Sequence, residues 1–240
     1  MSALPPTEKP VARVVTAHAV SMQLDGVLGG TLFPSLQQGP WWPIERFAES
    51  TVDPRSATRD PHPHEREEVV NYVLAGELAH ADGTGATMPL HEGSVSVLTA
   101  VRSISHDLYP TGDRPARWIS LVVHLADREA GTPAPFRLTN APPVDTIAPG
   151  VTRKRLVGPG TEVDTVSALE LSDVDVAAAA SVQLDVDALR RLVVYVRDGT
   201  GTVLGTPVQP GTGLLTEGLR RVPVESAKGM NLILATIPAP

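Results

Sequence analysis

The stretch "HPHEREEVVNYVLAGEL", residues 62–78, sets two imidazoles, His62 and His64, two positions apart just ahead of a hydrophobic run. On an extended backbone, residues i and i+2 project to one face, and Pro63 between them fixes φ and stiffens the pair. A third ligand would have to come from another strand, and His106 follows a second apolar run, "SVSVLTAVRSIS". Three neutral imidazoles suit iron, nickel, copper or zinc and leave open positions for a substrate or oxygen. All seven histidines and all three tryptophans lie within the first 124 residues, so any imidazole metal chemistry belongs to the first half of the chain. The absence of cysteine excludes disulfides, thiolate zinc sites and a cysteine nucleophile, and it suits a reducing compartment.

The elements that must position these residues read as strands. "VVNYVL" (69–74), "SVSVLT" (94–99) and "RWISLVVHL" (117–125) are β-branched and bounded by Gly, Pro or Asp. In the second half "SVQLDVD" (181–187) alternates apolar and polar residues, while "RLVVYVRDG" (191–199) and "NLILATI" (231–237) read as buried strands. Helical periodicity is weak; its best candidate is a turn or two around Glu45–Glu49. A Pro-rich stretch between Ala130 and Gly160 reads as a crossing between two domains. The two halves also resemble each other: Tyr72 falls on Tyr195, Gly76 on Gly199, Gly93 on Gly211 and Thr99 on Thr216. Such a repeat of short strands marks a duplicated antiparallel barrel or jelly roll.

These residues carry a resemblance to the first domain of pirin-type bicupins. In that family's order the chain supplies His62, Pro63, His64, Glu68, Tyr72, Val73, Leu74, Gly76, Glu77, Thr99, Ala100 and His106. The resemblance is good over residues 58–125 and thins to a pattern of strands and turns over 150–240. It implies an all-β fold of two cupin barrels packed face to face. We place the first, with the metal site, at 12–130 and the second, degenerate and without histidine, at 150–238. The resemblance also implies one divalent metal in the first barrel, iron foremost, with nickel, copper or zinc as the alternatives. Two departures stand out: the family's fourth ligand, a Glu two residues after the third His, is here Leu108, and its Gly-Arg-Gly turn is Val101-Arg102-Ser103. In cupins generally His-x-His is followed by three or four residues and then a Glu that often ligates, and Glu68 fits that spacing. Asp107, next to His106 on an extended segment, should face away. Substoichiometric metal, or none, is the expectation that Leu108 imposes.

Other residues take duller readings. His80 is expected at a turn or pocket edge, His91 on the surface, and His124 in a core or pocket lining. Trp41 and Trp42 should serve packing, Glu67 a charged strand end, and Asp185 and Asp187 the wet face of a strand. Three functions fit this pattern. One is a metal-dependent dioxygenase-type enzyme acting on a small aromatic or enolised substrate held in the first barrel. Another is a regulatory module that binds a protein partner. The third is a metal-free cupin isomerase or cyclase of secondary metabolism using its histidines for acid/base work. A net charge of −7 without a long basic run argues against nucleic acid. No window reaches the roughly 18 apolar residues of a membrane span. With no signal-peptide order at the start, the expected location is the cytoplasm.

Overall fold

In the computed structural model the described residues are 42–55, 59–83, 85–126 and 136–239, together with the backbone of three strands at 13–16, 18–20 and 27–33. They form 22 strands, and among them there is no helix long and apolar enough to cross a membrane. All neighbouring strands pair antiparallel. The first barrel has a seven-stranded sheet in the spatial order Phe136–Thr139, Val95–Ala100, Glu67–Ala75, Ala116–His124, Ile44–Val52, Val27–Phe33, His18–Val20. It faces a four-stranded sheet ordered His62–His64, Ile104–Pro110, Glu77–Asp82, Thr87–His91. The second barrel repeats this plan. Its seven strands run Arg13–Thr16, Thr212–Glu217, Arg190–Gly199, Met230–Pro238, Glu170–Val176, Val151–Val157, Val144–Ala148. Its four run Ala180–Asp185, Arg221–Ser226, Gly201–Val203, Thr206–Val208. The all-β fold of two cupin domains follows.

Alternation along each strand divides the side chains between two environments. On the strand Glu67–Ala75, Val70 and Tyr72 join a buried cluster that includes Leu171, Val193, Tyr195 and Ile233, so the two large sheets pack face to face. Val69 and Val73 instead turn into the first barrel. The duplication is visible in the backbone. Gly76 and Gly199 both take positive φ, 75° and 77°, where a Cβ would fall 2.7 Å from the Pro115 carbonyl oxygen and 2.1 Å from that of Gly229. Gly93 and Gly211 match in the same way, at 88° and 82°. The register corrects one pairing, because with Tyr72 set on Tyr195, Thr99 falls at the place of Glu217 rather than Thr216.

Two further expectations change. The residues read as a helical turn, 45–49, lie inside the strand Ile44–Val52. Its face toward the first barrel and its face toward the second domain are both largely buried, so the sequence has no clean two-residue alternation to show. The domains also exchange an edge. Arg13–Thr16, within the expected first domain, pairs with Thr212–Glu217 of the second sheet, while Phe136–Thr139, beyond residue 130, completes the first. The Pro-rich stretch therefore contributes strands to both barrels, leaving residues 140–143 as the step between them.

Candidate metal centre

His62 and His64 stand on the edge strand of the four-stranded sheet, whose neighbour carries His106. The register pairs His106 with His62 and Ile104 with His64, which puts all three imidazoles on the inner face. Ring centroids are 4.7 Å apart for His62–His106 and His64–His106, and 5.0 Å for His62–His64. One ligand nitrogen from each lies within 4.8 Å of the others, and among the described residues this is the one group of three or more potential ligands so arranged. The loop leading to His62 is tied down by Asp107, which accepts from Arg59 Nε and from the Asp60 amide at 3.3 Å. Asp107 thus faces away from the imidazoles, as its position next to His106 requires.

Each imidazole has its far nitrogen held. His62 Nδ1–H donates to the Asp60 carbonyl at 2.8 Å, and His64 Nδ1–H donates to the Glu67 carboxylate. His106 Nδ1 meets His80 Nε2 at 2.5 Å. A held Nδ1–H fixes the tautomer that leaves Nε2 bare toward a cation. His62 Nε2 and His106 Nε2 are 3.2 Å apart, close to the about 3.3 Å that two nitrogens would keep at 2.0–2.1 Å from one tetrahedral ion. A metal-free tautomer set also exists for one pair, with His80 donating to His106 and His106 to His62. It leaves His64 unexplained, because His64 Nε2 is buried with no hydrogen-bond partner. A buried bare nitrogen aimed at two others is the mark of a cation site. Burial, reinforced by His80, His64 and His62, holds His106 far below the ordinary imidazole range, and burial pulls His80 down to about 4. Both are neutral at physiological pH, as ligation demands.

Glu68 is elsewhere. It is fully buried at the junction of the barrels, where its carboxylate accepts from Thr99 Oγ1 (2.8 Å), Arg137 (3.0 Å), the Val166 amide (3.0 Å), the Ser167 amide (3.1 Å) and Ser167 Oγ (2.6 Å). The alternation that sends Val69 into the barrel sends Glu68 to the second domain. Leu108 shares the face of His106, sits opposite His80 in register, and packs with the apolar cluster of Val73, Leu78 and Trp118.

Three roles were not read from sequence. Glu67 is the partner that orients His64. His80 is completely buried beside His106, with its ring 4.3 Å from that of Phe136. Glu45 is hydrogen-bonded to Glu67 and lies 3.2 Å from His124, and burial and Glu67 raise its pKa to about 7. His124 stacks on Trp42 at 4.5 Å, and the Trp42 carbonyl accepts from Arg191 of the second domain. Trp41 lies outside the described residues. His91 is exposed, and Asp185 is exposed beside Arg221.

Residues 42–121 match the model of the Pirin family. A Pseudomonas aeruginosa protein named provisionally as a quercetin 2,3-dioxygenase is 31% identical over 133 residues, which are 53% of this chain and 46% of that one. The match to a pirin-like protein of Solanum lycopersicum, 30% identical, takes in 40% of this chain and 32% of that one, so the chain spans half or less of the length of these curated relatives. Among solved structures, the bacterial pirin YhhW of Escherichia coli in complex with nickel(II) superposes with a TM-score of 0.79 at 14% identity, covering 96% of this chain and 100% of that one. A quercetin 2,3-dioxygenase of Acinetobacter baumannii gives 0.82 at 18% identity, covering 94% and 85%. Residues 42–121 are thus similar to the Pirin family, and the chain shares the two-barrel fold of these solved structures.

Proposed function

We propose that this pirin-like cupin binds a divalent transition metal on His62, His64 and His106 and acts as a dioxygenase-type enzyme on a small aromatic or enolised substrate. The observation that carries the reading is the convergence of three imidazoles, each with a held Nδ1, together with the buried His64 Nε2 that has no partner. Iron is the favoured ion, with nickel, copper and zinc chemically admissible for an all-imidazole set. Such an ion would polarise substrate oxygens and, if redox-active, pass an electron toward dioxygen. The protein's own part is to hold neutral imidazoles in place. Asp60 and Glu67 fix the tautomers of His62 and His64, and His80 backs His106. Apolar side chains packed to either side of His106 lower the local dielectric, which strengthens electrostatic contacts there.

The names borne by the related proteins support a flavonol-like substrate, and the regulatory reading stays second because it has no comparable cluster behind it. With three neutral ligands and Leu108 in the place of a carboxylate, the first shell leaves the charge of the ion uncompensated. Metal should therefore come away readily in chelator. The test is elemental analysis of untagged protein beside a His62→Ala/His64→Ala double variant, followed by oxygen uptake with quercetin after metal reloading. Iron, nickel or copper in the parent and none in the variant is the expected result. No metal in either, after reloading, would sink the proposal.

A further inference from the structure

The interiors of the two barrels are built from equivalent rows that differ in polarity at two adjacent levels. At one, Leu98, Val69 and Val122 of the first barrel stand where the second has Thr216, Leu192 and Thr236; the other bears on the histidine site. With Tyr72 set on Tyr195, the cross-strand registers superpose Asn71 on Val194, Ser96 on Leu214 and Ser120 on Leu234. In the second barrel Val194, Leu214 and Leu234 belong to one continuous apolar cluster. In the first, the row Ser96–Asn71–Ser120 splits the interior in two, with Val73, Leu78 and Trp118 on one side and Val69, Leu98 and Val122 on the other. All three residues of the row are buried, and Asn71 Nδ2 and Ser96 Oγ have no hydrogen-bond partner. Packing does not require them, since the sister barrel closes the same positions with aliphatic side chains. Unpaired buried polar atoms are rare because they are costly, and those that occur mark water, an ion or a ligand.

The row also lies level with the histidines. Ile104 packs with the Val69 cluster and Leu108 with the Val73 cluster, so His106, between them on the facing sheet, stands opposite the polar row. His80, in register with Leu108, adds a third unpartnered atom, its Nδ1. We infer that Asn71 and Ser96 form the far wall of a ligand chamber whose near wall is the histidine cluster, and that they donate hydrogen bonds to an oxygen acceptor on the same molecule the histidine site takes. This rests on the proposed small-molecule reading of the first barrel and sharpens it. Neutral donors flanked by apolar side chains select a flat, weakly polar ligand with a carbonyl, hydroxyl or phenolate at the end away from the cluster, and they disfavour a multiply charged one.

The test uses quercetin as the probe in anaerobic calorimetry on the full chain, with metal content and thermal midpoint measured on each protein. The variants are Asn71→Val, which copies the sister barrel, and Ser96→Ala. Each should weaken quercetin binding about tenfold, leave metal content unchanged, and leave the midpoint equal or higher, because an unpaired polar group has been removed. Unchanged affinity in both variants overturns the inference, as does a lowered midpoint with unchanged affinity, which would assign the two atoms to structural water. Absence of quercetin binding by the parent also overturns it. Parent protein that takes up no metal on reloading yet binds quercetin through Asn71 would overturn the proposed function and leave this inference standing. Should Asn71→Val not fold, Ser96→Ala decides alone.

Discussion

Glu68 accepts five hydrogen bonds, three of them from N–H groups that can only donate and with at least one such group on each oxygen, and that fixes what can replace it. Glutamine has the same shape, but its amide nitrogen would point at a donor in either orientation, and the Arg137 guanidinium would lose its buried counter-charge, keeping the exposed Asp164 at 3.9 Å. Glu68→Gln should therefore cost about 3 kcal/mol of stability in chemical denaturation, with no change in metal content. A fall in metal content without loss of stability would return Glu68 to the ligand shell. The complementary change is Leu108→Glu. Leu108 lies on the face of His106, so a carboxylate there has a path to the cluster, and retention of metal after chelator treatment should rise. Equal retention in Leu108→Glu and parent protein would show that the strand at Ile104–Pro110 aims this side chain elsewhere.

At the scale of elements, the strand Ile44–Val52 brings a second carboxylate to the back of the site. Glu45 faces Glu67, His64 and His124, and its pKa is raised to about 7 by burial and by Glu67. A carboxyl whose pKa is higher folded than unfolded binds a proton more readily in the native state. Its contribution to stability is full below about 4.5 and is lost as pH rises from there through 7. Glu45→Gln removes that dependence. In metal-stripped protein the thermal midpoint of Glu45→Gln should gain on the parent between pH 5 and pH 8, and a gap constant with pH would refute the assignment. This network shows where the sequence stopped being legible. The histidine triad could be read because Pro63 stiffens His62 and His64 and because strands put alternate residues on one face. Glu67, Glu45 and His80 could not, because their roles depend on which strand lies beside which and in what register. The face of Glu68 was open to reading, since it has the opposite parity to Val69, but the His-x-His-to-Glu spacing spoke louder. The strand at 44–52 was lost for another reason: with little solvent on either face, "IERFAES" carries no period-two signature.

Across the whole molecule, the duplication makes the domain junction nearly symmetric. The Tyr72 hydroxyl donates to Asp173 Oδ2 at 2.7 Å, and the Tyr195 hydroxyl donates to Glu49 Oε2 at 2.7 Å. The registers make Glu49 and Asp173 equivalents, each opposite an isoleucine of the next strand. Arg197 backs Asp173 and Arg117 backs Glu49, beside a cavity of about 300 Å³ also lined by Lys154. Tyr72→Phe and Tyr195→Phe should each lower unfolding free energy by about 2 kcal/mol, and equal losses from the two would confirm in solution that the halves share the load; no loss from either would deny it. The exchanged edge has a consequence in time. Arg13–Thr16 leaves the ribosome long before the strand it pairs with, Thr212–Glu217. Until that later strand is made this early strand has no partner, and its pairing then clasps an early segment of the chain to the barrel made after it.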